Sequence, residues 1–224
     1  MINPPKLKQK LEVKKYHGIE IKDEYSWIHQ KNILEVLKDS SKLNSEVRKY
    51  LEEENSYTKF QMKNAEQMQK KLFKEIKGRI KLDDESLHFF YNKDGWEYWT
   101  KTTKENNYTI QLRKKIGDNK EKTQEFWNGD KEKKKLGASY FGIGDLSVSH
   151  NHSLLGYSLD LNGSEFYTIY IRRIEDEKII DEKIENTSGG ITFSKDSRFI
   201  FYTLLNKTHQ PKKIFRHKIG SSQK

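Results

Sequence analysis

Cysteine is absent from the 224 residues. That excludes a disulfide framework, a thiolate nucleophile and any cysteine-ligated metal site. No apolar run approaches the roughly 20 residues that a membrane span needs. The lysine-rich start, Met1 to Lys10, is not followed by the hydrophobic stretch of a secretory signal, so the expected location is the cytoplasm, with no membrane partner. Hydrophobic residues make up only 33% of the chain against 34% charged, a thin supply for a core. Arginine is also scarce. Of 43 basic residues only seven are arginine: Arg48, Arg79, Arg113, Arg172, Arg173, Arg198 and Arg216. A net charge of +10 invites a nucleic-acid reading. Arginine, however, is the residue that reads phosphate and base edges in bidentate fashion. A surplus carried by lysine fits background composition better, and nucleic acid is not an expected partner.

What is present argues for a folded chain. Aromatic residues reach 12% and sit in short alternating runs, each ring bringing a large apolar area to a core. Helices are expected at Asp23 to Trp27 and Asn32 to Leu37. From Asn44 the residues Val47, Tyr50, Leu51, Tyr57, Phe60, Met62, Ala65, Met68, Leu72, Phe73 and Ile76 recur at helical spacing without a proline, and Gly78 ends the run. This is a long amphipathic helix or a pair, and its apolar stripe needs a surface to pack on. From about Ser86 the period turns strand-like. Strands are expected at Leu87–Tyr91, Trp96–Thr103, Tyr108–Arg113, Ser153–Leu159, Phe166–Ile174, Lys178–Lys183, Ile191–Ser194, Phe199–Leu205 and Lys213–Lys218. Turn residues between them include Asp94-Gly95, Asn106-Asn107, Asn162-Gly163, Gly189-Gly190 and Lys195-Asp196.

An internal repeat narrows the architecture. Ser149-His150-Asn151-His152-Ser153-Leu154-Leu155-Gly156-Tyr157-Ser158 lies on Ser194-Lys195-Asp196-Ser197-Arg198-Phe199-Ile200-Phe201-Tyr202-Thr203, an offset of 45 residues (194 minus 149). Repeats of about 40–50 residues made of short strands are the mark of propeller blades. A run from Ser86 to Tyr91 is a candidate third copy.

Specific motifs then point to a family. His17-Gly18 with Asp23-Glu24-Tyr25-Ser26-Trp27-Ile28, Tyr50-Leu51-Glu52-Glu53-Glu54-Asn55-Ser56-Tyr57, and the stretch from Leu72 through Gly78-Arg79 to Asp83-Asp84-Glu85-Ser86 occur in family order. Gly163-Ser164-Glu165-Phe166-Tyr167-Thr168-Ile169 and Arg216-His217-Lys218-Ile219-Gly220 follow. Together, over residues 4 to 220, they resemble the prolyl oligopeptidase family of serine peptidases, on its oligopeptidase B side. Two positions depart from the pattern: Leu87-His88 replaces a proline, and Asn151 stands where a turn aspartate is usual. The resemblance implies a mainly β fold with an N-terminal α-helical segment over residues 1–80. Residues 81–224 then form a partial β-propeller of about three blades, seven-bladed in the full family. It also implies an α/β-hydrolase domain beyond this chain, which the helical segment packs against and the propeller caps.

Family chemistry needs a serine in a Gly-x-Ser-x-Gly turn, with Asp and His following. No serine here has that frame, so no catalytic residue is expected, and His17, His29, His88, His150, His152, His209 and His217 have no such nucleophile to serve. Four other groupings are read as structural. His150-x-His152, which could hold a metal, falls on the blade turn. Asp83-Asp84 are turn and capping groups rather than an acid/base pair. Lys131 and Lys133-Lys134-Lys135 are a solvated loop rather than a phosphate site. Of the tryptophans that could stack on bases, Trp27, Trp96 and Trp99 are core, with Trp127 the fourth. No cofactor or metal is expected. The chain is thus read as the front portion of an oligopeptidase B-like peptidase, inactive alone or half of a split enzyme. Its partner would be a separately encoded C-terminal half with the hydrolase domain, and peptides after Lys or Arg would be substrates only of that assembly. The alternative is a non-catalytic protein-interaction module built on the partial propeller.

Overall fold

The structure, a computed structural model, describes residues 3–90, 95–180 and 183–222. The chain divides into two compact units, Met1–Ile80 and Lys81–Lys224. The first begins with a hairpin that sequence patterning did not suggest. Strands β1 (Glu12–Tyr16) and β2 (Ile19–Asp23) pair antiparallel around His17 and Gly18, both at positive φ. The expected helix at Asp23 to Trp27 is instead a single 3-10 turn at Ser26–Ile28, because Asp23 still belongs to β2 and its carboxylate accepts the Tyr25 N–H. Helix α1 (Ile33–Lys38) follows.

The long amphipathic run forms α2 (Ser45–Met62) and α3 (Glu66–Gly78), joined by a 3-10 turn at Lys63–Ala65. Asn44 starts α2 by accepting the N–H groups of Glu46 and Val47 at 2.9 and 3.2 Å, which satisfies two of the orphan donors of the first turn. Val47, at 5% exposure, is the one buried apolar side chain of this unit among the described residues. Met68, Leu72, Phe73 and Ile76 are all exposed, Phe73 by 67%. The unit therefore has helices but almost no core of its own.

The second unit is β-sheet with one helix. In the first blade, β5 (Trp96–Thr102), β6 (Ile110–Lys115) and β7 (Gln124–Asn128) form an antiparallel meander, with β3 (Asp84–Glu85) and β4 (Phe89–Phe90) on the other edge of β5. Tyr91 and Asp94, where a strand end and a turn were expected, lie outside the described residues. Helix α4 (Gly129–Leu136) leads to the second blade, the meander β8 (Gly142–Val148), β9 (Leu154–Asp160), β10 (Tyr167–Arg173) and β11 (Ile184–Thr187). The third comprises β12 (Thr192–Phe193), β13 (Phe199–Leu205) and β14 (Pro211–Lys218). Its strand β13 pairs with β11 of the second at Thr187 and Leu204, and the Ser188 N–H donates to the Thr203 carbonyl at 3.1 Å.

Two strand expectations need correction. Lys178–Lys183 is no strand in its described part: Ile179 makes an isolated bridge to Arg172, and the strand proper starts at Ile184. Glu177, at a positive φ of 56°, breaks the extended run just before it. The run from Ser86 is not a third copy of the repeat, since the Ser86 hydroxyl bonds across to the Thr100 N–H instead of closing a local turn.

The hydrophobic core lies between blades. Strands β9 and β10 are buried on both faces, so alternate side chains serve two cores. Leu155, Tyr157 and Leu159 turn toward the first blade and pack with Tyr98, Phe126 and Trp127. Ile169, Ile171 and Ile184 turn the other way, to Ile191, Phe193, Ile200 and Tyr202. Each such aliphatic side chain contributes about 1.5–3 kcal/mol on full burial. The double burial also explains the small residues on β8 and β9. A Cβ at Gly144 would lie 2.6 Å from the Ser158 hydroxyl oxygen and 2.7 Å from the Tyr167 ring.

The repeat appears as two turns that agree bond for bond. Ser149 and Ser194 each donate a backbone N–H across the turn, to the Leu154 and Phe199 carbonyls at 3.0 and 2.8 Å. Their hydroxyl oxygens accept the N–H of the same two residues, both at 2.9 Å. Each hydroxyl also donates, to Asn151 Oδ1 at 2.7 Å and Asp196 Oδ1 at 2.6 Å. His152 and Ser197 take the positive φ that closes each turn. Asn151 replaces the usual aspartate without loss because its amide oxygen still accepts, here from Ser149, from the Ser153 N–H and from the Ser153 hydroxyl.

In the third-blade turn, hydrogen bonds from Ser194 and then Arg198 hold the Asp196 carboxyl at about 2, below its ordinary 3.8. A carboxyl depressed in the folded state stabilises the fold above its unfolded pKa, and that stabilisation fades as pH falls through the folded value. Thermal melts of the wild type and Asp196→Asn are therefore expected to differ near neutrality and to converge between about pH 4 and pH 2. A constant difference down to pH 2 would show that the carboxylate charge contributes nothing.

Candidate functional site

The second unit is organised around charged side chains sealed between its blades. Arg113 on β6 is 5% exposed, and its guanidinium lies over the Trp96 ring, 4.4 Å from the centroid. It donates to the His152 carbonyl at 2.5 Å and to Gln124 Oε1 at 2.8 Å. The His152 ring meets the Tyr98 hydroxyl at 2.7 Å. First-blade strands thus grip the second-blade turn at His152, whose backbone is already in the left-handed region. Burial pushes the Arg113 guanidinium below its usual value.

Arg172 on β10, 2% exposed, is the second such anchor. It forms an ion pair with Glu132 of α4 at 2.5 Å and donates to the Phe126 carbonyl at 3.0 Å. Its guanidinium lies 5.2 Å from the Trp127 ring centroid and 5.4 Å from that of Tyr157. A buried cation against two aromatic faces gains cation–π attraction because little water competes. Burial pushes the Tyr157 phenol up to about 12, so it stays neutral and serves as a packing and stacking group. A cavity of about 110 Å³ adjoins this cluster, lined in part by Glu125, Lys131 and Glu177.

Between the second and third blades the links are neutral donors or single carboxylates. Asp145 Oδ2 accepts the Ile191 N–H at 2.8 Å, the Ser158 hydroxyl donates to the Gly189 carbonyl at 2.7 Å, and the Asn151 N–H donates to the Ser197 hydroxyl at 3.1 Å.

The groups weighed from sequence fall into place as follows. His150 is exposed and His152 buried, so the pair does not converge on one point, and no group of three His, Asp or Glu suited to a metal occurs among the described residues. Asp83 accepts the Lys104 N–H at 3.0 Å, while Asp84 takes the Lys81 ammonium at 2.6 Å and the Glu85 N–H at 2.9 Å. Both are structural groups at the junction. The run Lys131 and Lys133-Lys134-Lys135 is helix α4, not a loop. Asn128 caps it through the Lys131 N–H, and Gly137, at a φ of 60°, ends it in the left-handed conformation that glycine adopts without steric cost. Trp99 is buried as expected. Trp27 and Trp96 are only partly buried, and Trp127 is the most enclosed of the four at 1% exposure. His88 stacks on Trp99 at 4.1 Å and meets Glu97 at 3.1 Å. Glu97 also takes Lys114 at 2.7 Å, and that bond, with a smaller contribution from His88, holds its carboxyl below the usual range against the opposing effect of burial.

Sequence reasoning passed over Arg113 and Arg172, counting them only as scarce basic residues. Their places within the runs expected as strands at Tyr108–Arg113 and Phe166–Ile174 were the available signal. Removing Glu132 leaves the buried Arg172 charge with only the longer 3.9 Å contact to the half-exposed Glu177 carboxylate, a loss of up to about 3–5 kcal/mol for buried pairs. Glu132→Ala is expected to lower the unfolding free energy from denaturant titration by up to that amount, and the double change Glu132→Leu with Arg172→Met to recover most of it. Equal losses in the single and double variants would mean that packing, not charge pairing, sets the cost.

Over 97% of its length the chain is 29% identical to the dipeptidyl aminopeptidase BI of Pseudoxanthomonas mexicana, of which it covers 31%. It is 23% identical over 92% of its length to protease 2 of Moraxella lacunata, covering 28% of that protein. The chain thus spans about a third of the length of these curated relatives. The structure of oligopeptidase B from Leishmania major superposes on 99% of this chain with a TM-score of 0.81 at 22% identity, the match covering 32% of that chain. The family model for the prolyl oligopeptidase N-terminal β-propeller domain matches residues 4–224, and the chain belongs to that family.

Proposed function

We propose that these 224 residues are the strap and cap of an oligopeptidase B-like serine peptidase and do no chemistry by themselves. The carrying observation is a match from residue 4 to residue 224 to the propeller domain alone, in relatives about three times as long. Nothing in the 224 residues frames a serine as Gly-x-Ser-x-Gly. Without that turn no hydroxyl is presented beside an oxyanion hole. The first unit, with Val47 as its lone buried apolar side chain among the described residues, acts as a strap laid on an α/β-hydrolase portion. The blades cap the same portion and restrict it to short peptides, cleaved after Lys or Arg. That portion is supplied either by a separately encoded half or by further sequence of the same protein.

A second reading is a non-catalytic protein-interaction module built on the partial propeller, whose third blade exposes Phe201 and Ile214. The deciding assay follows release from an arginyl fluorogenic peptide, with the chain alone and co-expressed with a neighbouring reading frame that carries a Gly-x-Ser-x-Gly hydrolase domain. No turnover is expected from the chain alone, and serine-inhibitor-sensitive turnover from the pair. Turnover by the purified chain that a serine-directed inhibitor stops would overturn the assignment. A silent pair together with a stable, monomeric chain would favour the interaction module.

A further inference from the structure

The positive charge of the chain is not spread evenly. From Ser197 to Lys224 the sequence has seven Lys and Arg and no Asp or Glu, which leaves 36 basic against 33 acidic residues over Met1–Asp196. Most of the +10 therefore belongs to β13 and β14 of the third blade and the segments around them. The register of these strands sets Lys218 opposite Phe199, Arg216 opposite Phe201 and Ile214 opposite Thr203 on one face. Tyr202 and Phe215 turn the other way, into the core shared with the second blade. The outward face is open: Phe201 is 37% and Ile214 76% exposed. Arg216 lies over the Phe199 ring at 4.9 Å, and neither Arg216 nor Lys218 forms an ion pair among the described residues.

The 45-residue repeat identifies the counterpart of this face. It carries Ile169 onto Ile214, Ile171 onto Arg216 and Gly156 onto Phe201. The registers agree, since Ile171 pairs with Gly156 as Arg216 pairs with Phe201. On the second blade these positions are sealed by the third. Ile169 is 0% and Ile171 1% exposed, and a Cβ at Gly156 would lie 3.2 Å from both Ile191 and Phe193. On the third blade the same positions offer a guanidinium and a phenyl ring. A neighbour that covered this face in the same way would strip water from Arg216, and a buried charge without a partner is costly. An all-aliphatic neighbour does not fit it.

We propose that the outward face of the third blade docks an acidic protein surface, a sheet face that sets a carboxylate against Arg216 and an apolar side chain against Ile214. The seam between the first and second blades has the same chemistry, with Arg172 meeting Glu132. A second copy cannot supply the carboxylate from this face, because β12, β13 and β14 contain no Asp or Glu and like charges would meet. The inference rests on the reading of these residues as part of a larger peptidase. It names the chemistry of the surface that the remaining portion brings to the third blade.

Fluorescence anisotropy with the full 224-residue chain tests this. The probe is a labelled peptide of about 12 residues alternating Glu and Val, which sets its carboxylates on one side of a strand. A labelled oligothymidylate of equal charge is the second probe, and circular dichroism confirms that each variant keeps its fold. Saturable peptide binding is expected at about 50 mM salt, weakened about tenfold at about 0.5 M. Arg216→Glu is expected to weaken it at least about tenfold and Ile214→Ser about threefold. Lys134→Glu, the same change of charge on α4, is expected to leave it within about twofold. Absence of peptide binding overturns the proposal, as does an equal loss in Lys134→Glu, which would mark a response to net charge alone. Tighter binding of the oligothymidylate than of the peptide also overturns it and makes the face a nucleic-acid surface. The arginyl-peptide assay reads a separate event. An active pair without Arg216-dependent peptide binding removes the docking face alone, and a silent pair with such binding removes the peptidase reading alone.

Discussion

The middle blade is buried on both faces, and the rest of the second unit depends on that constraint. Strands β9 and β10 cannot follow the usual alternation of apolar inside and polar outside, because neither side faces water. Leu155, Tyr157 and Leu159 serve one core while Ile169 and Ile171 serve the other. The positions between them must be small or able to satisfy their own polar atoms. Gly156 lets Ile191 and Phe193 approach, Ser158 donates to the Gly189 carbonyl, and Arg172 is neutralised by Glu132. Each polar residue enclosed in this way needs a partner contributed by a neighbouring element. The blades are thereby locked in order by hydrogen bonds as well as by apolar area.

The two units obtain stability by different means. The blades combine two cores, the paired serine turns and two buried arginines into a structure that satisfies itself over most of its extent. The first unit has well-capped helices but a single buried apolar side chain among its described residues. A cap typically contributes about 1 kcal/mol and an i,i+4 pair about 0.2–0.5 kcal/mol, and helices of this length owe most of their stability to packing of an apolar face. Its apolar side chains on α3, Met68, Leu72, Phe73 and Ile76, stay exposed, so the helices lack the packed face from which most helix stability comes.

Local chemistry was legible from the residues. The serine turns were visible as a 45-residue repeat because Ser, Asn or Asp, and a hydroxyl partner fix a tight turn through bonds that span only five residues. The long helical run was visible because its apolar period of 3.6 is uninterrupted by proline. The first hairpin was not, since its alternation is masked by exposed lysines and its turn, His17-Gly18, resembles a family motif more than a β-turn signal. Helix α4 was hidden for a related reason: four lysines in a row of six residues look solvated, and only the Asn128 cap and the Glu132 contact with Arg172 give that segment a fixed place.

Sequence by itself determined the class of the molecule: helix first, then short strands with a blade-length repeat, and no serine framed for acyl transfer. It determined these because periodicity, turn chemistry and motif spacing are encoded within a few consecutive residues. Tertiary structure decided which side chains meet across the blades. Arg113 on His152, Arg172 between Glu132 and Trp127, and His88 on Trp99 join residues on different elements, some of them 39 to 45 positions apart. No local pattern specifies such pairs, because they exist only once sheet twist and double-sided burial have brought those strands together.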